Sequence, residues 1–77
     1  MSQELIVGGR YLHYKGNEYR VIGLAKHSET LEALVVYEAL YDNPHSKLWV
    51  RPKGVFLEEV EVNGVRVPRF TFIGKDF

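Results

Sequence analysis

At 77 residues, of which 45% are hydrophobic and 26% charged, the chain is the size of one small domain, with no room for a second core. Ten basic residues balance ten acidic ones, which argues against a general polyanion binder working through a basic excess. There is no cysteine, which excludes disulfide stapling and thiolate chemistry and is compatible with a reducing cytoplasm.

No apolar run approaches the ~20 residues that span a bilayer. Met1-Ser2-Gln3-Glu4 is polar and acidic, where a signal peptide carries basic residues before an apolar stretch. The expectation is a soluble cytoplasmic domain with no membrane association, spanning residues 1–77 with its core between about 8 and 73.

The punctuation is that of an all-β domain. Arg10 to Tyr14 reads as a first strand closed by a Lys15-Gly16-Asn17 turn, which pairs Tyr14 with Glu18 or Tyr19 and brings His13 near Tyr19 or Arg20. Glu18 to Lys26 follows as a second strand, with Gly23 marking a bulge or a close approach. Ala33 to Tyr41 is a long third strand. Its central Val35-Val36-Tyr37 disfavours the helix that the surrounding residues would otherwise allow. Val35, Tyr37, Ala39 and Tyr41 share one face of it and Leu34, Val36 and Leu40 the other, so both sides are expected to be covered.

Asp42 to Ser46 is a turn-rich loop, and Leu48 to Arg51 a short strand stopped by Pro52. Lys53 to Leu57 reads as one helical turn or tight loop that drops Phe56 into the core. Asn63-Gly64, set between Glu59–Val62 and Val65–Val67, is the clearest local signal, because both turn residues tolerate the positive φ of a type I′ hairpin. Phe70 and Phe72 close the domain. Five or six short strands in so small a chain suggest a closed or nearly closed barrel, which removes exposed edges.

Across nearly its whole length the chain resembles the DUF1653 family of small bacterial proteins. The resemblance is carried by Gly9-Arg10-Tyr11-Leu12-His13-Tyr14-Lys15-Gly16, by Tyr19 through Thr30, and by Leu34-Val35-Val36-Tyr37 with Ala39-Leu40-Tyr41. It continues in Leu48-Trp49-Val50-Arg51-Pro52, Phe56 and Pro68-Arg69-Phe70. It implies an SH3-like barrel and no established activity, so it transfers no catalytic residues and no cofactor.

Two constellations could carry function. Lys26-His27-Ser28-Glu29-Thr30-Leu31-Glu32 gathers an imidazole, two hydroxyls and two carboxylates where a turn needs only one or two such groups. His27, Ser28, Glu29, Thr30 and Glu32 are therefore candidate ligand contacts, set against the plainer reading of hydroxyls bonding their own backbone. Trp49 and Arg51 alternate on one strand face, and with Tyr37, Tyr41 and Arg69 they form an aromatic and basic surface. The plainer reading here has Trp49 covering the core and Arg51 paired with Glu38 or Glu58.

His13 is a second-tier candidate with Tyr41. A metal site from His13, His27 and Glu32 would require a strongly curled sheet and matches no familiar ligand spacing. His27 and Ser28 are adjacent, so in extended chain they point to opposite sides and make no nucleophile–base pair. The function expected is a binding or accessory module: foremost a protein-interaction or self-associating barrel, with nucleic-acid binding through Trp49 and Arg51, or a small-molecule or metal-dependent site at His27–Thr30, as alternatives.

Overall fold

A computed structural model describes residues 5–75; Met1-Ser2-Gln3-Glu4 therefore lies outside the described residues. The described chain contains β1 (Gly9–His13), β2 (Glu18–Lys26), β3 (Ala33–Ala39), β4 (Leu48–Pro52), α1 (Lys53–Phe56), β5 (Glu59–Val62), β6 (Val65–Pro68) and β7 (Phe70–Lys75). Five strands make an antiparallel sheet in the order β4-β3-β2-β1-β7, and β5 and β6 form a separate hairpin. The all-β expectation holds, with seven strands rather than five or six. No ladder joins β4 to β7, so these remain the edges of the large sheet.

Most local expectations correspond to observed devices. Asn63 and Gly64 sit at φ 51° and 80°, as the β5–β6 turn requires. Lys53–Phe56 forms the short helix and Phe56 is fully buried. The irregularity expected at Gly23 is a register shift between Val21 and Gly23, which leaves Ile22 as the extra residue.

Two expectations shift. Leu12, not Tyr14, lies opposite Glu18, because the turn is Tyr14-Lys15-Gly16, closed by the His13 N–H donating to the Asn17 carbonyl. Gly16, at φ 107°, takes the left-handed place that ends a three-residue hairpin loop, and the ladder therefore begins earlier. The third strand ends at Ala39 instead of Tyr41, and only one of its faces is fully covered. Val35, Tyr37 and Ala39 are buried, whereas Leu34, Val36, Glu38 and Leu40 are half-buried.

The core is Tyr11, Val21, Val35, Tyr37, Phe56 and Phe70, with Leu5, Tyr19, Trp49, Leu57 and Phe72 packed around it. Its contacts are largely aromatic. Phe56 stacks on Phe70 with centroids 4.0 Å apart and meets Tyr11 and Tyr37 edge-on. Although β4 and β7 share no ladder, the Arg51 guanidinium lies 5.5 Å from the Phe70 ring centroid. The sheet is thus curled far enough for its two edges to touch through side chains.

The β4 edge is guarded. The Ser46 hydroxyl donates to the Leu48 carbonyl and accepts from the Leu48 N–H, while Pro52 brings no N–H at all.

Candidate functional site

The polar segment between β2 and β3 folds upon itself. The His27 Nδ1 accepts from the Glu29 and Thr30 N–H groups, the Thr30 hydroxyl accepts from the Glu32 N–H, and the His27 N–H donates to the Glu32 carbonyl. Ser28, Glu29, Thr30 and Glu32 are exposed and His27 is half-buried. Leu31, at φ 63° and exposed, occupies the left-handed region that a leucine adopts at a cost. Leu31→Asn is expected to stabilise the fold by up to about 1 kcal/mol in urea melts, since asparagine tolerates that conformation.

β3 separates this loop from the aromatic surface. Arg51 faces Val35, two residues into β3 from the loop end, and Trp49 faces Tyr37, four residues in, or roughly 13 Å of extended chain. Tyr41 lies beyond the far end of the strand. Among the described residues no three histidine, aspartate or glutamate side chains group as metal ligands, so His13, His27 and Glu32 stay apart. No serine or threonine hydroxyl is hydrogen-bonded to an imidazole among these residues.

At the other end of the sheet, side chains from four strands and the loop after β3 converge. The alternation of β1 turns His13 inward beside Tyr11, opposite Phe70 on β7. The His13 ring lies 4.9 Å from Phe70, 6.3 Å from Tyr19 and 4.6 Å from Tyr14. Tyr19 meets Tyr37, Tyr41 and Phe70 edge-on at 5.2, 5.4 and 5.8 Å. Its hydroxyl is 2.6 Å from that of Tyr41, which also accepts from the Asn43 side-chain amide at 2.8 Å. One proton serves the bond between the two phenols; the other is left for a further acceptor. Two shallow clefts flank this surface, one of about 460 Å³ including Tyr41 and Asn43, the other of about 300 Å³ including His13 and Tyr14.

The expected ion pairs of Arg51 are not made. Glu38 is held instead by Arg20 at 3.1 Å and Lys47 at 3.8 Å, and Glu58 by Arg69 at 3.3 Å. Among the described residues the Arg51 side chain has no carboxylate partner; it lies half-buried over the face of Phe70. Trp49 packs against the core and donates its indole N–H to the Ser46 carbonyl at 3.0 Å. Tyr37 is buried beneath this surface.

Arg69 is occupied as a structural tie. Its Nε donates to the Val55 carbonyl at 3.1 Å, and its carbonyl accepts from the Tyr14 N–H, joining α1 to the end of β1. Arg69→Ala is expected to cost about 1 kcal/mol through the lost hydrogen bond, since the Val55 carbonyl keeps the Glu58 N–H. Glu58→Ala should cost under ~1 kcal/mol because Glu58 is largely exposed. Paired urea melts of the two variants measure the difference.

Burial, and then the nearby charges of Arg51, Lys15 and Arg69, hold His13 below its ordinary pKa of 6.5. Its Nδ1 accepts from the Lys15 N–H, so the neutral ring carries its proton on Nε2. Burial and the bond to Tyr41 push the Tyr19 phenol above its ordinary 10.0. Both shifts predict pH-dependent stability. As pH falls through 6.5 the unfolded imidazole takes a proton before the folded one, so stability drops. As pH rises through 10 the unfolded phenol ionises first, and stability drops again. Chemical melts across pH should show the acidic limb flattened in His13→Gln and the alkaline limb weakened in Tyr19→Phe.

A family model described as a protein of unknown function, DUF1653, matches residues 9–72. The chain belongs to the DUF1653 family. The crystal structure of a DUF1653 protein from Bordetella bronchiseptica is similar, with a TM-score of 0.85 and 35% sequence identity over 94% of this chain and 92% of that one. No curated protein matches the chain. The DUF1653 match encloses every residue of the aromatic surface, from His13 to Phe70. No helix among the described residues of this DUF1653 chain is long and apolar enough to cross a membrane.

The sequence nominated Tyr37, Trp49, Arg51 and Arg69 and placed His13 and Tyr41 second, but Tyr19, Asn43 and Phe70 were passed over. The available signal for Tyr19 was its place two residues before Val21, on the same inward face of β2.

Proposed function

We propose that this DUF1653 protein is a cytoplasmic protein-binding module, an open SH3-like barrel that engages a partner segment at the end of the sheet formed by His13, Tyr19, Tyr41, Trp49, Arg51 and Phe70. The observation that carries the reading is Arg51: a half-buried guanidinium over an aromatic face, without a carboxylate partner among the described residues. Arginine and aromatic side chains are the residue types that most often anchor protein interfaces. The balanced charge supports a protein partner over a nucleic acid, which would call for a basic stripe. The use of His27 Nδ1 and the Thr30 hydroxyl to hold their own loop backbone supports leaving that segment outside the contact.

Selection from a random peptide library against the full chain tests this. Enriched peptides should bind Arg51→Gln at least tenfold more weakly and Glu29→Gln unchanged. Enrichment of nothing, or of peptides that bind Arg51→Gln as well as the parent, overturns the reading.

A second reading, self-association, is favoured by exposed Ile22, Leu24, Leu48 and Val50 on β2 and β4. The guarded β4 edge turns this toward contact between sheet faces instead of strand addition. Light scattering over a concentration series decides it: a monomer throughout removes this second reading.

A further inference from the structure

We infer that the ligand group seated at this end of the sheet is a carboxylate, an aspartate or glutamate side chain or a chain terminus of the partner, held by Arg51 with the Tyr19–Tyr41 phenol pair and His13 around it. The inference rests on the protein-binding reading and names the chemistry it uses. Arg51, the phenol pair and His13 each have a donor to offer. Arg51 has the forked N–H groups left at its edge while its face lies on Phe70. The phenol pair has one unshared proton, since the Asn43 amide and the mutual bond account for the rest. His13 spends Nδ1 on the Lys15 N–H and so keeps an Nε2 donor.

Two carboxylates near Arg51 are withdrawn, while Asp42 lies exposed on the outer rim of the Tyr41 cleft. Glu38 is neutralised by Arg20 and Lys47, and Glu58 by Arg69. A donor set in which Arg51 has no carboxylate partner among the described residues complements an anion. One unpartnered guanidinium matches a single negative charge and the planar, bidentate form of a carboxylate. A phosphate dianion calls for more than one fixed cation; Arg69 and Arg20 are already engaged, and Lys15, the further cation near His13, lies over the exposed Tyr14 ring. The aromatic rim formed by Tyr19, Tyr41 and Trp49 would cover the apolar body that carries the carboxylate.

Heteronuclear NMR titration of the full chain with benzoate, benzamide and inorganic phosphate tests the inference. Benzoate should shift the Arg51 Nε–H and Trp49 indole resonances, and should bind at least tenfold more tightly than benzamide. It should also raise the His13 pKa, because a seated anion offsets the Arg51 charge. Arg51→Gln should weaken benzoate binding at least tenfold and by itself raise the His13 pKa, with Arg51→Lys intermediate. Acetyl-phenylalanine and acetyl-aspartyl-phenylalanine amide then separate a chain terminus from a side chain as the source.

Equal binding of benzoate and benzamide overturns the carboxylate while leaving an aromatic peptide surface standing. Phosphate binding more tightly than benzoate overturns it in favour of another anion. If benzoate shifts neither resonance and library peptides ignore Arg51, the inference and the protein-binding reading fall together.

Discussion

Phe56→Ala is expected to remove a large share of the chain's stability at room temperature. A domain of 77 residues has roughly 4–12 kcal/mol of stability at the usual 0.05–0.15 kcal/mol per residue. Emptying a fully buried phenylalanine site costs about 3–5 kcal/mol where the surroundings cannot collapse. Collapse is obstructed here. The ring lies flat on Phe70 at 4.0 Å and edge-on to Tyr11 and Tyr37 at 5.4 Å each, so its removal strands three large aromatics that face the void from β7, β1 and β3. The four-residue α1 is too short to hold its shape without that anchor. Phe56→Leu, which keeps most of the volume, should retain a cooperative urea transition at a cost of about 1–2 kcal/mol. A Phe56→Ala variant that melts cooperatively at nearly the parental midpoint would show that α1 is not what closes the open side of the sheet.

Much of this arrangement was legible in the residues. Asn63-Gly64 could hardly be anything but a tight hairpin, and the β-branched centre of β3 settled strand against helix. Pro52 marked both the end of β4 and the start of the turn that carries Phe56. These are local signals, fixed by φ/ψ preference and period-two alternation.

What the sequence hid depends on register and closure. The Tyr14-Lys15-Gly16 turn was read one residue late because Gly16 can serve at more than one place in a hairpin loop. Only the left-handed φ it adopts identifies the loop as three residues long. The meeting of Arg51 with Phe70 joins strands at opposite edges of one sheet and is a consequence of curl, which no local pattern encodes. For the same reason Arg51 could not be told from an ordinary cross-strand ion pair until Glu38 and Glu58 were found with other partners. The His27–Glu32 cluster shows the converse. Of five polar residues close together in sequence, His27 and Thr30 proved to hold neighbouring backbone N–H groups, an arrangement a strand-to-strand loop can reach with no help from the rest of the chain.

Gly9→Ala is expected to cost about 2–3 kcal/mol, an overpacking penalty at a glycine whose φ poses no difficulty. A Cβ there would stand 2.8 Å from the Phe72 ring and 2.9 Å from the Ile6 carbonyl. That carbonyl is also the acceptor for the Gly9 N–H, so the backbone on one side cannot retreat without losing its own hydrogen bond. On the other side Phe72 meets Tyr11 edge-on at 5.6 Å, and Tyr11 is the core residue whose hydroxyl accepts from the Ile6 N–H. Relief therefore has to come from Phe72 and with it from β7, the strand that presents Phe70 beneath Arg51. The effect should be non-additive: Gly9→Ala introduced beside Phe72→Leu should cost at least about 1 kcal/mol less than in the parent, because the clashing ring edge is gone. Additive urea midpoints in that cycle would place the strain on the Ile6 carbonyl alone. If Phe72 does yield, the displaced Phe70 should change the Arg51 Nε–H resonance in Gly9→Ala, linking a packing fault at the start of β1 to the far end of the sheet.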